Sequence, residues 1–381
     1  MNSSSKINPI EPAERPQSAV AHRDLPRIGF SCGDLNGIGI EIILKLLADT
    51  RIAQQCIPVV FASEKAIAFY NNPRPGEEAV SFRVVKSLEG LEPGHNYLFA
   101  AWSEEVPVQP GVLTEISGKY AVRSLEVACQ CLKEGHLDGL VTAPLHKANT
   151  QSKEFPFTGH TPYLEHFFGA KNVLMVLHDE ALRVALVTEH IPVAAVSAHL
   201  TVDRLLQKLR LFRDSLVRDF GIDKPRIAVL GLNPHAGDGG AIGTEEQTVL
   251  KPVLDSVQQS GMLAFGPYAA DAFFARGSYA QFDGVLAMYH DQGLIPFKTL
   301  AVDGGVNFTA GLPVVRTSPD HGTAFDIAGK GIADATSMRE ALFACIDRIR
   351  QRKRYAENTA NPLPRSRGQK ERTFGHGSGR D

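Results

Sequence analysis

The stretch Asp283-Gly-Val-Leu-Ala-Met-Tyr-His-Asp-Gln-Gly-Leu-Ile-Pro-Phe-Lys298 decides how this chain is read. Behind it runs Val306-Asn-Phe-Thr-Ala-Gly-Leu-Pro-Val-Val-Arg-Thr-Ser-Pro-Asp-His-Gly-Thr-Ala-Phe-Asp-Ile-Ala-Gly-Lys-Gly331. The apolar run Gly284 to Met288 is short enough for a buried strand and too short for a core helix. Polarity then changes at once to Tyr289, His290, Asp291 and Gln292. In open α/β sheets ligands bind outside the carboxyl ends of the strands, so a His-Asp pair at such an end stands where chemistry is placed.

The same design occurs twice earlier. Leu182 to Val187 runs into Thr188-Glu189-His190, and Ile227 to Leu232 runs into Asn233-Pro234-His235-Ala236-Gly237. One such histidine alone reads as a loop cap. Three in matching contexts, His190, His235 and His290, can converge at one sheet edge as ligands of a divalent metal with open coordination positions.

Further blocks complete the pattern: Gly33-Asp34-Leu35-Asn36-Gly37-Ile38-Gly39, Thr142-Ala143-Pro144-Leu145-His146-Lys147 and Phe157-Thr158-Gly159-His160-Thr161. With the two histidine blocks and the closing tract, they occur in the order found in the 4-hydroxythreonine-4-phosphate dehydrogenase family, which the chain resembles from Pro26 to about Arg354. Two departures touch loop conformation more than chemistry. Leu35-Asn36 and Ile40 replace a common Pro-Ala pair and Pro, and Pro162 stands where Glu is usual.

The resemblance implies an α/β fold of the isocitrate and isopropylmalate dehydrogenase kind, two α/β/α domains with the site in the cleft. It implies oxidation of 4-phosphooxy-L-threonine by NAD or NADP, then loss of carbon dioxide to give 3-amino-2-oxopropyl phosphate. A divalent ion (zinc, cobalt, magnesium or manganese) on the three histidines would assist. It further implies substrate contacts at His160, Thr161, Lys298, Asn307 and Arg316, and catalytic proton handling or imidazole orientation at Asp271 and His160. Nucleotide contacts are expected at Asp326, Gly329 and Lys330, in a tract that also reads as packing glycines. The family works as a homodimer with sites at the interface, so His290 is expected to come from the neighbouring chain. The apolar strip Gln292 to Phe297 would be buried there.

Composition agrees with an enzyme of this kind. The chain has 381 residues, 43% of them hydrophobic, and a net charge of −2. That charge gives no reason to expect nucleic acid or an anionic membrane as partner. No apolar run approaches the ~18 residues of a membrane span, and no signal-peptide core opens the chain. Five scattered cysteines without a CxxC pair suit reduced thiols in the cytoplasm.

Residues 1–25 and 355–381 read as polar tails. The first domain is expected over 26–145 plus 301–354, on the nucleotide side, and the second over 146–300, with the metal ligands and the dimer interface. Gly33 to Gly39 departs from GxGxxG spacing and supports no Rossmann fingerprint. Helices are expected at Glu41 to Ala48, Ile116 to Glu134 and His199 to Arg218, and a flexible loop at Gly237 to Gly243. Alternatives from other classes are a phosphotransacetylase-like acyltransferase, which needs no metal-binding histidines, and a non-catalytic ligand-binding module. Within dehydrogenases, paralogues acting on 4-phospho-threonate, phospho-erythronate or a cyclic diol also fit.

Overall fold

The computed structural model describes residues 25–73, 78–301 and 304–361. Most of both expected tails therefore lies outside the described residues. Twelve strands form one sheet: β1 Arg27–Ser31, β2 Ile57–Ala62, β3 Arg83–Val85, β4 Tyr97–Ala100, β5 Gly139–Thr142, β6 Leu174–His178, β7 Arg183–Leu186, β8 Ile227–Leu230, β9 Ala264–Tyr268, β10 Gly284–Ala287, β11 Val306–Ala310 and β12 Val315–Pro319. Their order is β3-β4-β2-β1-β5-β12-β11-β6-β7-β10-β8-β9.

The first six strands in that order are mutually parallel, as are the last four. Between them β11 is antiparallel to both β12 and β6, and β6 is antiparallel to β7. This antiparallel seam joins two parallel halves. The strands are buried on both faces across most of the sheet, which is why they read as continuous apolar runs and not as alternating ones.

On one face of the second half, alternate residues Met175 and Leu177, Val184 and Leu186, Ala228 and Leu230, and Val285 and Ala287 form a second core. Leu294 and Phe297 of the helix His290–Leu300 close over it. Phe297 is fully buried, which stabilises by about 1.5–3 kcal/mol. The helix sits close because Gly293 has no side chain: a Cβ there would lie 2.7 Å from Val184 and 2.9 Å from Leu186.

This corrects the reading of Gln292 to Phe297 as one apolar strip for a subunit interface to bury. Its Leu294 and Phe297 are internal, and among its large side chains Ile295 faces out, 64% exposed. Period-3.6 geometry sends neighbours on a helix to different faces, which a linear run of apolar residues does not reveal.

The other expected elements recur with shifted ends. The helices run Gly39–Leu47, Glu115–Lys133 and Val202–Arg218. The third begins later than expected because Thr201 caps it, its side chain accepting from the Arg204 N–H. The closing helix, Thr336–Ala360, continues past the expected tail boundary at 355. It is held by Met338, Ala341, Leu342, Cys345 and Ile346 at helical spacing, and by Arg352 Nε donating to the buried Asp219 at 2.6 Å. The segment around Gly237 is a tight turn closed by Ile242 N–H to the Gly237 carbonyl. No described helix is long and apolar enough to cross a membrane.

Candidate active site

A cavity of about 680 Å³ lies over the seam. Strand alternation explains its lining. Asn307 is opposite both Leu177 and Ser318, Thr309 is opposite Met175, and Arg316 is opposite Leu140, two residues from Thr142. All these side chains therefore share one face. Arg316 is 2% exposed. Its Nε and Nη2 donate to Thr142 Oγ1 at 3.1 and 2.6 Å, and Nη1 donates to Thr309 Oγ1 at 3.0 Å.

No carboxylate pairs with Arg316 among the described residues, and burial pulls its pKa down to about 10. A buried guanidinium held only by hydroxyls is a receptor for an anion. His160 and Thr161 open the helix His160–Phe167 on the same cavity. Burial, then the Arg316 charge, hold the His160 imidazole well below its ordinary pKa, so it is neutral. Among the described residues its Nε2 and the Asn307 Oδ1 are buried without a hydrogen-bond partner. Lys298, at the far end of the helix His290–Leu300, pairs with Asp320 at 3.4 Å. Burial raises the Asp320 pKa while Lys298 opposes. Five expected substrate contacts thus line one cavity.

The histidines divide. β10 lies between β7 and β8, so all three expected ligands follow adjacent strand ends. His190 and His290 stand together, ring centroids 5.7 Å apart, on this cavity and on a smaller one of about 250 Å³ beside it. Burial, then Lys147, keep the His190 imidazole below its ordinary pKa, with Glu189 opposing. That leaves a neutral ring, the form that ligates metal. His290 Nδ1 is 2.7 Å from Asp291 Oδ1, which orients the ring and leaves Nε2 to offer.

His235 lines neither cavity. It is exposed on the turn Pro234–Gly240, where His235, Ala236 and Asp238 have positive φ of 53°, 53° and 42°. Such backbone strain in non-glycine residues concentrates at functional sites. Glu246 holds the turn, accepting from the Asn233 N–H at 2.7 Å and side-chain amide at 2.9 Å. Asp271 is exposed on the helix Ala270–Ala275, which packs on that same turn. Among the described residues no three His, Cys, Asp or Glu side chains assemble a metal site within one chain.

The expected nucleotide tract follows β12. Ile38 N–H donates to the Thr323 carbonyl at 3.0 Å, seating the tract on the glycine-rich turn after β1. Gly329 has φ of 74°, and a Cβ there would meet Pro110 at 2.6 Å, so this glycine shapes the loop. Asp326 and Lys330 are the exposed side chains beside it.

Several cavity residues were missed from sequence: Thr142, Asp320, His321, Glu189 and Lys208. Thr142, Asp320 and His321 lie inside recognised motifs. Glu189 stands directly before His190 in a quoted block, and Lys208 comes from the helix Val202–Arg218, which only the fold brings to the cavity.

A family model described as pyridoxal phosphate biosynthetic protein PdxA matches residues 54–345. The chain is 46% identical over 340 residues to a 4-hydroxythreonine-4-phosphate dehydrogenase of Bacteroides thetaiotaomicron, covering 88% of this chain and 92% of that protein. Crystal structures of 4-hydroxythreonine-4-phosphate dehydrogenases from Klebsiella pneumoniae and Burkholderia phymatum are 33% and 36% identical, with TM-scores of 0.73 and 0.70. Each covers 86% of this chain and 99% of the solved one. With the motifs folded around one cavity and these matches spanning most of its length, the chain belongs to the PdxA family of pyridoxal phosphate biosynthetic proteins.

Proposed function

We propose that the chain, as a 4-hydroxythreonine-4-phosphate dehydrogenase, oxidises the secondary hydroxyl of 4-phosphooxy-L-threonine with NAD or NADP and releases carbon dioxide from the product. The observation that carries this reading is Arg316, a buried cation with hydroxyl partners only, in one cavity with the pair His190 and His290. Arg316, His160, Thr161, Asn307 and Lys298 would hold the phosphate. The hydroxyl carbon would then sit beside the two imidazoles. A nicotinamide bound beside that carbon would supply the hydride acceptor, and a base would take the hydroxyl proton. The carboxylate then leaves, its bonding electrons forming an enolate that is protonated to 3-amino-2-oxopropyl phosphate.

His190, His235 and His290 suit a divalent ion by donor chemistry and by their adjacent strand ends. Bound there, such an ion would supply Lewis acidity for the alcohol and for the ketone it becomes. Because His190 and His290 of one chain are already together, we assign the lent ligand to the partner's His235. Asp271 would travel with that turn, to orient its imidazole or take a proton. Val193, 73% exposed, and Ile295, 64% exposed, flank this region and support a homodimer interface there. Asp326, Gly329 and Lys330 would border the nucleotide, on a first domain of 26–145 plus 301–354 facing a second of 146–300. Five buried free cysteines fit a cytoplasmic enzyme.

The test supplies purified protein with a divalent cation, each nucleotide, and 4-phosphooxy-L-threonine or its dephosphorylated counterpart. Reduced nucleotide should form with the phosphorylated substrate. No reduction with either nucleotide overturns the reading.

A further inference from the structure

We infer that Glu189 selects the amino-acid substrate by receiving its α-ammonium group, an inference that rests on the dehydrogenase reading above. Beyond β7, Val187 and Thr188 remain tied to β10, through Val187 N–H to the Ala287 carbonyl and Thr188 Oγ1 to the Met288 carbonyl at 2.7 Å. A tight bond from Ile191 N–H to the Glu189 carbonyl at 2.7 Å then turns the chain. Residue 189 is thereby fixed beside His190, on both cavities that His190 and His290 share.

The Glu189 side chain is only 19% exposed, yet among the described residues its carboxylate accepts no hydrogen bond. Its one ion-pair partner is Lys208 at 3.6 Å, and Lys208 spends a proton on the Val173 carbonyl at 2.7 Å. A mostly buried carboxylate with unfilled acceptor positions is suited to a charged donor.

The other two carboxylates of the cavity fit this role less well. Asp320 is engaged by Lys298, and Glu165 lies on the helix that begins at His160. In the substrate the ammonium and the oxidised hydroxyl occupy neighbouring carbons. With phosphate at Arg316 and hydroxyl at the imidazoles, the ammonium falls on the His190 side of the cavity, where Glu189 stands. A hydroxy acid with the same phosphorylated skeleton offers no cation there and leaves the carboxylate without its charged donor. Lys208 acts through Glu189, as a positioning residue.

The experiment compares the full-length wild type, Glu189→Gln, Glu189→Asp and Glu165→Gln. Each is assayed on 4-phosphooxy-L-threonine and on 4-phospho-threonate with both nucleotides and a divalent cation. Substrate-induced shifts in melting temperature provide a readout independent of turnover. The wild type should prefer the amino acid. Glu189→Gln should lower kcat/KM for the amino acid roughly 10- to 100-fold, mainly through KM, without loss on the hydroxy acid. Glu189→Asp should keep part of the preference.

An unchanged preference in Glu189→Gln overturns the inference, as does a collapse of preference in Glu165→Gln alone. A wild type active only on the hydroxy acid overturns it too. A wild type that oxidises neither substrate fails at the functional reading, and the inference falls with it. If Glu189→Gln is misfolded by circular dichroism, the Glu189→Asp ratio and its thermal shifts decide.

Discussion

At the scale of single residues, the buried charges make the sharpest predictions. Arg316→Met removes the cation while filling its volume. It should raise KM for the phosphorylated substrate about 10- to 100-fold, through loss of charge-assisted contacts, and affect a dephosphorylated analogue much less. Steady-state kinetics on both compounds check this. His178 is buried behind the seam, and burial, then Arg348 and Arg183, hold its pKa well below 6.5. The folded state thus binds the proton more weakly than the unfolded state. The stability due to neutral His178 is complete above about pH 6.5 and is lost as pH falls toward the folded value. His160 adds a dependence of the same sign. Urea unfolding from about pH 7.5 to about pH 5 should therefore show falling stability, with a shallower fall in His178→Phe. Sequence alone named Arg316 and His160 because they sit in motifs. It was silent on His178, whose neutral state depends first on burial and then on Arg348, distant along the chain, and Arg183 on the neighbouring strand.

At the scale of elements, the helix His290–Leu300 sets two ends of the site at once. Its first residue is His290, the proposed metal ligand, and its last turn carries Lys298. Both positions depend on how closely the helix lies on β7 and β10, and Gly293 controls that distance. Gly293→Ala adds a methyl group where no space exists, so the helix must lift by a few tenths of an ångström or more. Overpacking of this kind costs typically 1–3 kcal/mol. We expect a lower melting temperature together with a kcat/KM loss on the order of 100-fold. Calorimetry and kinetics on the same preparation check both effects. Normal activity with lowered stability would show that the ends of the helix are set by their own contacts. The helix was unreadable in sequence because Gly293 and Pro296 argue against one. Packing of Leu294 and Phe297 overrides that propensity. β10, by contrast, was read correctly because both its faces are buried and its run is unbroken.

At the scale of the whole molecule, the parallel halves were readable and the seam was not. Alternation of apolar runs with amphipathic helices predicts a mixed or mainly parallel sheet, and the short link Gly311 to Val314 marks Val306–Ala310 and Val315–Pro319 as a hairpin without saying where in the sheet it inserts. Their register places Asn307 and Arg316 on one face, so the proposed phosphate site is a property of the assembled sheet. Assembly beyond one chain is tested by co-refolding inactive variants. If His235 is the lent ligand, mixing His190→Ala with His235→Ala chains yields hybrids with one intact site. Activity should then approach about a quarter of wild type. If His290 is lent, the pair His190→Ala and His290→Ala recovers activity instead. No recovery in either mixture means that every ligand comes from one chain.

That no carboxylate pairs with Arg316 among the described residues carries a consequence for attempts to make the enzyme heat-resistant. An interior charge left unbalanced until its ligand arrives weakens the empty protein, so selection for thermal tolerance without substrate should favour neutral replacements at this position. Such variants would survive heating and fail as catalysts. Inorganic phosphate should do the reverse, raising the melting temperature of the native chain and leaving Arg316→Met unmoved.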